Sequence, residues 1–112
     1  MPHRLCFALD LVDDADLIAE YERAHAPGAA WPEITRAIRA AGYEAMEIWR
    51  VADRLFMIAE VADDWPRPVP ADLSEADARW EAAMARFQKR IVAAPGDTKW
   101  ARMTRIYALG EQ

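Results

Sequence analysis

Two strand-length segments, YEAMEIWRV (43–51) and RLFMIAEV (54–61), stand with only Ala52 and Asp53 between them. A link of two residues joins strands side by side and antiparallel, because a parallel return needs a crossover of about a dozen residues or more. The hairpin therefore anchors any fold open to this chain, although Ala-Asp is a weaker turn pair than Asn-Gly. In the second segment Leu55, Met57, Ala59 and Val61 fall on one face, with Phe56 and Ile58 on the other. Apolar residues on both faces predict a sheet that is covered twice.

Periodicity supplies the remaining elements. RLCFALDL (4–11) alternates Leu5, Phe7, Leu9 and Leu11 against Cys6, Ala8 and Asp10, as a strand does. Asp13 or Asp14 then offers an N-cap, and Leu17, Tyr21 and Ala24 follow at helical spacing, predicting a first helix that runs to about His25. His3 is expected in a loose terminus before the strand. APGAA breaks the first helix, and Pro32 suits the first turn of a second, where no intrahelical N–H bond is lost. That helix should bury Ile34, Ala37, Ile38 and Ala41 and end at Gly42.

ADDWPRPVPADL (62–73), with prolines at 66, 68 and 70, reads as a surface connection. A third helix is expected after it, with Ser74 and Asp77 resembling a capping box in which Asp replaces Glu or Gln. Its apolar face would carry Ala76, Trp80, Ala83, Met84 and Phe87. APGD (94–97) should turn the chain into a last strand over KWARMTRIYAL (99–109), with Ala101, Met103, Tyr107 and Leu109 on alternate positions. The order β-α-α-β-β-α-β is a split β-α-β arrangement. It predicts an α+β, ferredoxin-like fold whose four-stranded antiparallel sheet carries its helices on one side. Apolar residues on the other face then need a partner, and a second copy packed sheet to sheet in a two-fold homodimer is the economical solution, enclosing a space between or beside the sheets.

With 112 residues and 54% hydrophobic content, the chain fits one domain, residues 1–112, with a real core. Apolar runs such as LFMIA (55–59) fall short of the roughly 20 residues that a bilayer span requires, and Asp10 interrupts the N-terminal stretch before a secretory core develops, so a cytoplasmic protein without membrane association is expected. Cys6 is the single cysteine, which excludes an intrachain disulfide and any cysteine cluster with metal spacing. Nineteen acidic against fourteen basic residues, a net charge of −5, oppose binding to a phosphate backbone, and no nucleic-acid partner is expected.

The chemistry concentrates in EYERAHAPGAAWPEI (20–34). Tyr21 and His25 are four apart, so a persisting helix projects both from one face and lets them converge on one small ligand. An imidazole at a helix C-terminus, drawn toward its charged form by the dipole and away from it by burial, can exchange protons near neutrality. The competing reading is an ordinary helix-capping or surface histidine. Tryptophans at 31, 49, 65, 80 and 100 are numerous for this length, and most belong by default to core, rim or dimer contacts. Asp10, Glu47 and Glu60 interrupt strand patterns and are read as structural ion-pair residues with Arg50, Arg102 or Arg105 as partners. No glycine-rich phosphate loop, nucleophile with an adjacent base, or paired histidine-carboxylate metal spacing is present.

EYERAH (20–25), WPEI (31–34), RLFMIAEV (54–61) and RWEAAM (79–84), in this order, resemble the L-rhamnose mutarotase family over nearly the whole chain. The resemblance implies a small dimeric α/β barrel of ferredoxin-like topology acting on a monosaccharide. It matches His25 to the proton donor, Tyr21 to a sugar-contacting tyrosine, and Trp80 to a pocket tryptophan. The segment from His25 to Trp31 is two residues longer than in the better-known rhamnose enzymes. Met46 stands in place of a substrate-contacting tyrosine, and Glu81 in place of the second of two paired tryptophans. The methionine-bearing RLFMIAEV strand resembles the branch associated with L-fucose, so L-fucose or another 6-deoxy-L-sugar stands level with L-rhamnose as substrate.

Mutarotation asks for one group that protonates the ring oxygen and another that removes the anomeric hydroxyl proton, with neither cofactor nor metal. His25 is the expected donor, Tyr21 a positioning partner, and Trp80 with Trp31 or Met46 the apolar wall. The complementary base is open between water, a backbone group and a carboxylate such as Asp10. Two other readings share these features: another cofactor-free enzyme on the same barrel, of monooxygenase or lactone-isomerase type, and a non-catalytic ligand-binding dimer.

Overall fold

The computed structural model describes residues 3–92, 94 and 98–112. Strand β1 (His3–Leu11) lies at the centre of the sheet, paired antiparallel with β3 (Arg54–Val61), which pairs in turn with β2 (Tyr43–Val51). The register sets Leu9 opposite Leu55 and Phe7 opposite Met57, so the apolar alternation of both strands turns to one side. Leu9 and Leu11 are fully buried there. The hairpin forms as the two-residue link requires, with Ala52 at a positive φ of 49° and its carbonyl accepting from Arg50 Nη1 at 2.7 Å.

Three helices cover that side. Helix α1 (Ala15–Ala24) starts at Asp14, whose side chain accepts from the Leu17 N–H at 3.0 Å, and ends at His25. Helix α2 (Pro32–Ala40) has its proline in the first turn and buries Ile34 and Ala37. Gly42 follows at φ +110°, where an added Cβ would lie 3.2 Å from the Trp65 side chain. Helix α3 (Ala71–Ala85) buries Leu73, Ala76, Trp80 and Met84 against α2 and the sheet. The strand order β2-β3-β1-β4 is that of the ferredoxin-like arrangement.

Several expectations need correction. His3 is not loose: it opens β1 opposite Val61, with Nε2 3.1 Å from an Asp63 carboxylate oxygen. Helix α3 begins at Ala71 with Pro70 as its N-cap, three residues before Ser74. Ser74 therefore lies inside the helix and its hydroxyl donates to the Ala71 carbonyl at 2.9 Å, so the capping box does not form. The fourth place in the sheet is divided between two short strands, β4 (Gln88–Lys89) opposite Asp10 and Leu11, and β5 (Ala101–Arg102) opposite Phe7 and Ala8. The strand expected over 99–109 stops after the Met103 N–H donates to the Cys6 carbonyl at 2.8 Å. Continuing the same register would set Arg105 directly opposite Arg4, a like-charge pair that opposes further zippering. Past Ala94, the turn expected at APGD falls outside the described residues.

The second face of the sheet lies open in the single chain. Trp49 and Val51 are 59% and 60% exposed there and Ile58 36%, beside half-buried Phe56. No helix among the described residues is long and apolar enough to cross a membrane.

Gly42→Ala should destabilise the fold by about 1–3 kcal/mol, because the new methyl meets Trp65 at a φ that L-residues avoid. Urea unfolding would show this as a lower midpoint at an unchanged slope.

Candidate active site

A cavity of about 270 Å³ lies between the sheet and the three helices. Tyr21 and His25 reach it from α1, Ile34 and Ile38 from α2, and Asp77, Trp80, Glu81 and Met84 from α3. The sheet supplies Met46, Ile48 and Met57. Met46 pairs with Ala59 and Ile48 with Met57, and cross-strand partners share a face, so the edge strand points these side chains inward. A more open hollow of about 640 Å³ adjoins along β2 and shares Tyr21, His25, Met46 and Ile48.

The end of α1 fixes the imidazole. The His25 N–H bonds the Glu22 carbonyl at 3.1 Å, which closes the helix, while Nδ1 lies 2.7 Å from the Tyr21 carbonyl oxygen. A carbonyl oxygen only accepts, so Nδ1 carries the hydrogen and Nε2 is left as the nitrogen that takes up or releases a proton. The ring stacks on Tyr21 with centroids 4.2 Å apart and meets Trp80 edge-on at 5.4 Å. Half-buried and held on three sides, it has little freedom to swing away from the cavity.

Tyr21 is 4% exposed, and its ring also packs edge-on against Phe87 at 5.6 Å. Burial pushes its phenol above the usual tyrosine value, and the hydroxyl accepts from Gln88 Nε2 at 3.4 Å. Tyr43 is pushed up by burial in the same way. Glu81 forms an ion pair with Lys99 at 2.9 Å. Asp77 is half-buried, and both desolvation and the nearby Glu81 carboxylate raise its pKa above the usual aspartate value. Among the described residues no group of three or more His, Cys, Asp and Glu could hold a metal ion.

Of the residues singled out from the sequence, His25, Tyr21, Trp80 and Met46 converge on this cavity. Trp31 does not line it. Its indole backs Trp80 edge-on at 5.1 Å and is capped in turn by the Arg79 guanidinium 5.9 Å from the ring centre, because its place before α2 directs it behind the pocket tryptophan. Asp10 is also elsewhere. It sits on the open face of the sheet, where Arg54 Nε donates to it at 2.7 Å and holds its carboxyl below the usual range, so it does not supply the base. It is an ion-pair residue as expected, with Arg54 rather than the partners foreseen, and Glu60 pairs with Arg4 at 3.8 Å. Sequence reasoning did not single out Trp100, Gln88 or Asp77 for the cavity. Asp77 was legible in principle, since it stands three residues before Trp80 on the same helical face.

A sequence profile described as L-rhamnose mutarotase matches residues 4–109. The chain belongs to the L-rhamnose mutarotase family. It is 46% identical to an L-fucose mutarotase of Xanthomonas campestris, over 96% of this chain and 89% of that protein. A UPF0734 protein of Dictyostelium discoideum is 30% identical over 91% of this chain and 86% of its own length. The crystal structure of an L-rhamnose mutarotase from Formosa agariphila has the same fold, with a TM-score of 0.66, 19% identity, and coverage of 96% of this chain and 98% of that one. The activity that goes with the family is an isomerase's, the interconversion of sugar anomers.

The position of Asp10 yields a test. Its pKa is depressed in the folded state, so the stability it contributes is full above the unfolded aspartate value and is lost as pH falls through the folded one. Asp10→Asn should therefore be less stable than the wild type at neutral pH, with the gap closing below the carboxylate range. Chemical denaturation across that range checks this.

Proposed function

We propose that this protein interconverts the α and β anomers of a 6-deoxy-L-hexose, L-fucose or L-rhamnose, by acid–base opening and closing of the pyranose ring. The carrying observation is the single imidazole whose Nδ1 is tied to the Tyr21 carbonyl while its ring is wedged between Tyr21 and Trp80 in the cavity wall. His25 in its protonated form donates from Nε2 to the ring oxygen, the ring opens, the aldehyde turns, and closure on the other face returns the proton. Tyr21 positions the sugar and holds the imidazole. Trp80 and Met46 form an apolar wall against the C–H face of the ring, and Trp31 supports the wall from behind. The L-fucose mutarotase at 46% identity favours L-fucose as the better substrate.

The working form is proposed to be a cytoplasmic homodimer. Trp49, Val51 and Ile58 make an apolar surface on the open face of the sheet, and Met103, Ile106, Tyr107 and Leu109 near the C-terminus are exposed as well. A second copy laid sheet to sheet would cover both sets.

Saturation-transfer NMR on equilibrated sugars should show anomer exchange well above the spontaneous rate at catalytic protein concentrations. His25→Asn should lose about 10²–10⁴-fold in kcat, the usual share of one positioned proton-transfer group, while the fold persists. Exchange by the wild type at the spontaneous rate for both sugars would end this reading. In sedimentation equilibrium the wild type should run at twice the chain mass, and Ile58→Glu, which puts a charge into the covered face, at the chain mass.

A further inference from the structure

Ring opening uses two groups, and the reading above fills only the place of the one that protonates the ring oxygen. The second must face the same cavity and be free to take a proton. Five ionisable side chains line the cavity: Tyr21, His25, Tyr43, Asp77 and Glu81. The two phenols are held neutral by burial. Glu81 is engaged by Lys99 at 2.9 Å, and the same ammonium also donates to the Glu81 carbonyl at 3.2 Å. Asp77 has no hydrogen-bond or ion-pair partner among the described residues, although it is half-buried. Its carboxylate oxygens are therefore not tied up by another side chain and can accept a proton.

Its placement fits that role. Asp77 stands three residues before Trp80 on α3, so the two side chains are neighbours on one helical face, about 5–6 Å apart at Cβ. The Trp80 indole touches His25 at 5.4 Å between ring centres. The carboxyl and the imidazole are therefore both neighbours of one indole in the wall of one cavity, and a pyranose held against that wall can present its ring oxygen to one group and its anomeric hydroxyl to the other.

We infer that Asp77 is the second catalytic residue, removing the anomeric hydroxyl proton as His25 protonates the ring oxygen; the inference rests on the mutarotase reading. In the opening step the bond between the anomeric carbon and the ring oxygen breaks, and its electron pair stays on the oxygen that receives the His25 proton. The hydroxyl proton passes to Asp77, and the electron pair of its O–H bond becomes the second bond of the aldehyde. After the aldehyde turns, the former ring hydroxyl returns its proton to His25 as its oxygen attacks the carbonyl carbon. Asp77 then gives its proton back to the carbonyl oxygen, now the anomeric hydroxyl. One proton is shared between the two residues throughout, and nothing is consumed. Burial and the Glu81 carboxylate both strengthen the hold of Asp77 on the proton it receives.

The experiment compares wild type, Asp77→Asn and Asp77→Ala by saturation-transfer NMR on L-fucose and L-rhamnose, with circular dichroism as the control for folding. Asp77→Asn should lower kcat about 10²–10⁴-fold at an unchanged KM. Added formate, a small carboxylate able to enter the space left by Asp77→Ala, should restore part of the rate in proportion to its concentration. If the Asn variant fails to fold, the formate response of the Ala variant decides. Wild-type kcat in either folded variant, or a loss confined to KM, overturns the assignment while leaving the mutarotase reading intact. A wild type that accelerates neither sugar removes both.

Discussion

Which residues meet the cavity and which meet the outside is decided in the ladder between β1 and β3. Its eight pairs run unbroken from His3 opposite Val61 to Asp10 opposite Arg54, in the middle of the sheet. A slip of β1 by one residue would turn Leu9 and Leu11 outward, part Asp10 from Arg54 and carry its carboxylate toward the core without its partner. The observed register avoids this by leaving the pair on the open face. It also sets the orientation of β2, because Met46 and Ile48 inherit their side from Ala59 and Met57. The sheet wall of the cavity thus follows from hydrophobic alternation in strands that carry no chemistry.

The site borrows its rigidity from the core in another way. The carbonyl that orients His25 belongs to Tyr21, a residue buried among Leu11, Ile34, Leu55, Trp80 and Phe87. An imidazole bonded to a mobile loop carbonyl would drift, whereas this one is bonded to backbone that cannot move without opening the core. Glycine and proline shape the same region from outside. The first-turn proline of α2 and the positive φ of Gly42 fix where that helix begins and ends, and hence where Ile34 and Ile38 enter the pocket.

Much of this was legible in the sequence wherever a local signal had no rival. The N-cap at Asp13 or Asp14, which the structure resolves to Asp14, the Pro32 start, the two-residue hairpin and the i, i+4 pairing of Tyr21 with His25 are each set within a few residues, and each is found. Failures occur where a local signal competed with a longer-range one. Ser74 and Asp77 have the spacing of a capping box, but the chain becomes free to turn helical as soon as Pro70 is passed, and α3 starts there. That shift of three residues changes Asp77 from a cap partner into part of the cavity wall. The alternation after Trp100 is strand-like, yet β5 pairs with β1 only at Ala101 and Arg102, because carrying the register onward would set Arg105 against Arg4. Trp31 shares the aromatic character of a pocket residue, and only the packing angle of α2 against α3 decides that it stands behind Trp80.

The cavity is lined mostly by hydrocarbon, thioether and indole, groups that solvate a newly created net charge poorly. Lys99 offsets the charge of Glu81 at the rim, so the balance within falls to the remaining ionisable groups. A lone histidine that gave up its proton to the sugar would have to leave the opposite change on the substrate or on bulk water. A carboxylate across the same indole removes that difficulty, since the proton lost by one residue is matched by the proton gained by the other and the enclosed charge stays constant. On this reading the unpartnered state of Asp77 has a physical reason: it is the empty half of a two-place proton store, completed only when a hemiacetal lies between it and His25.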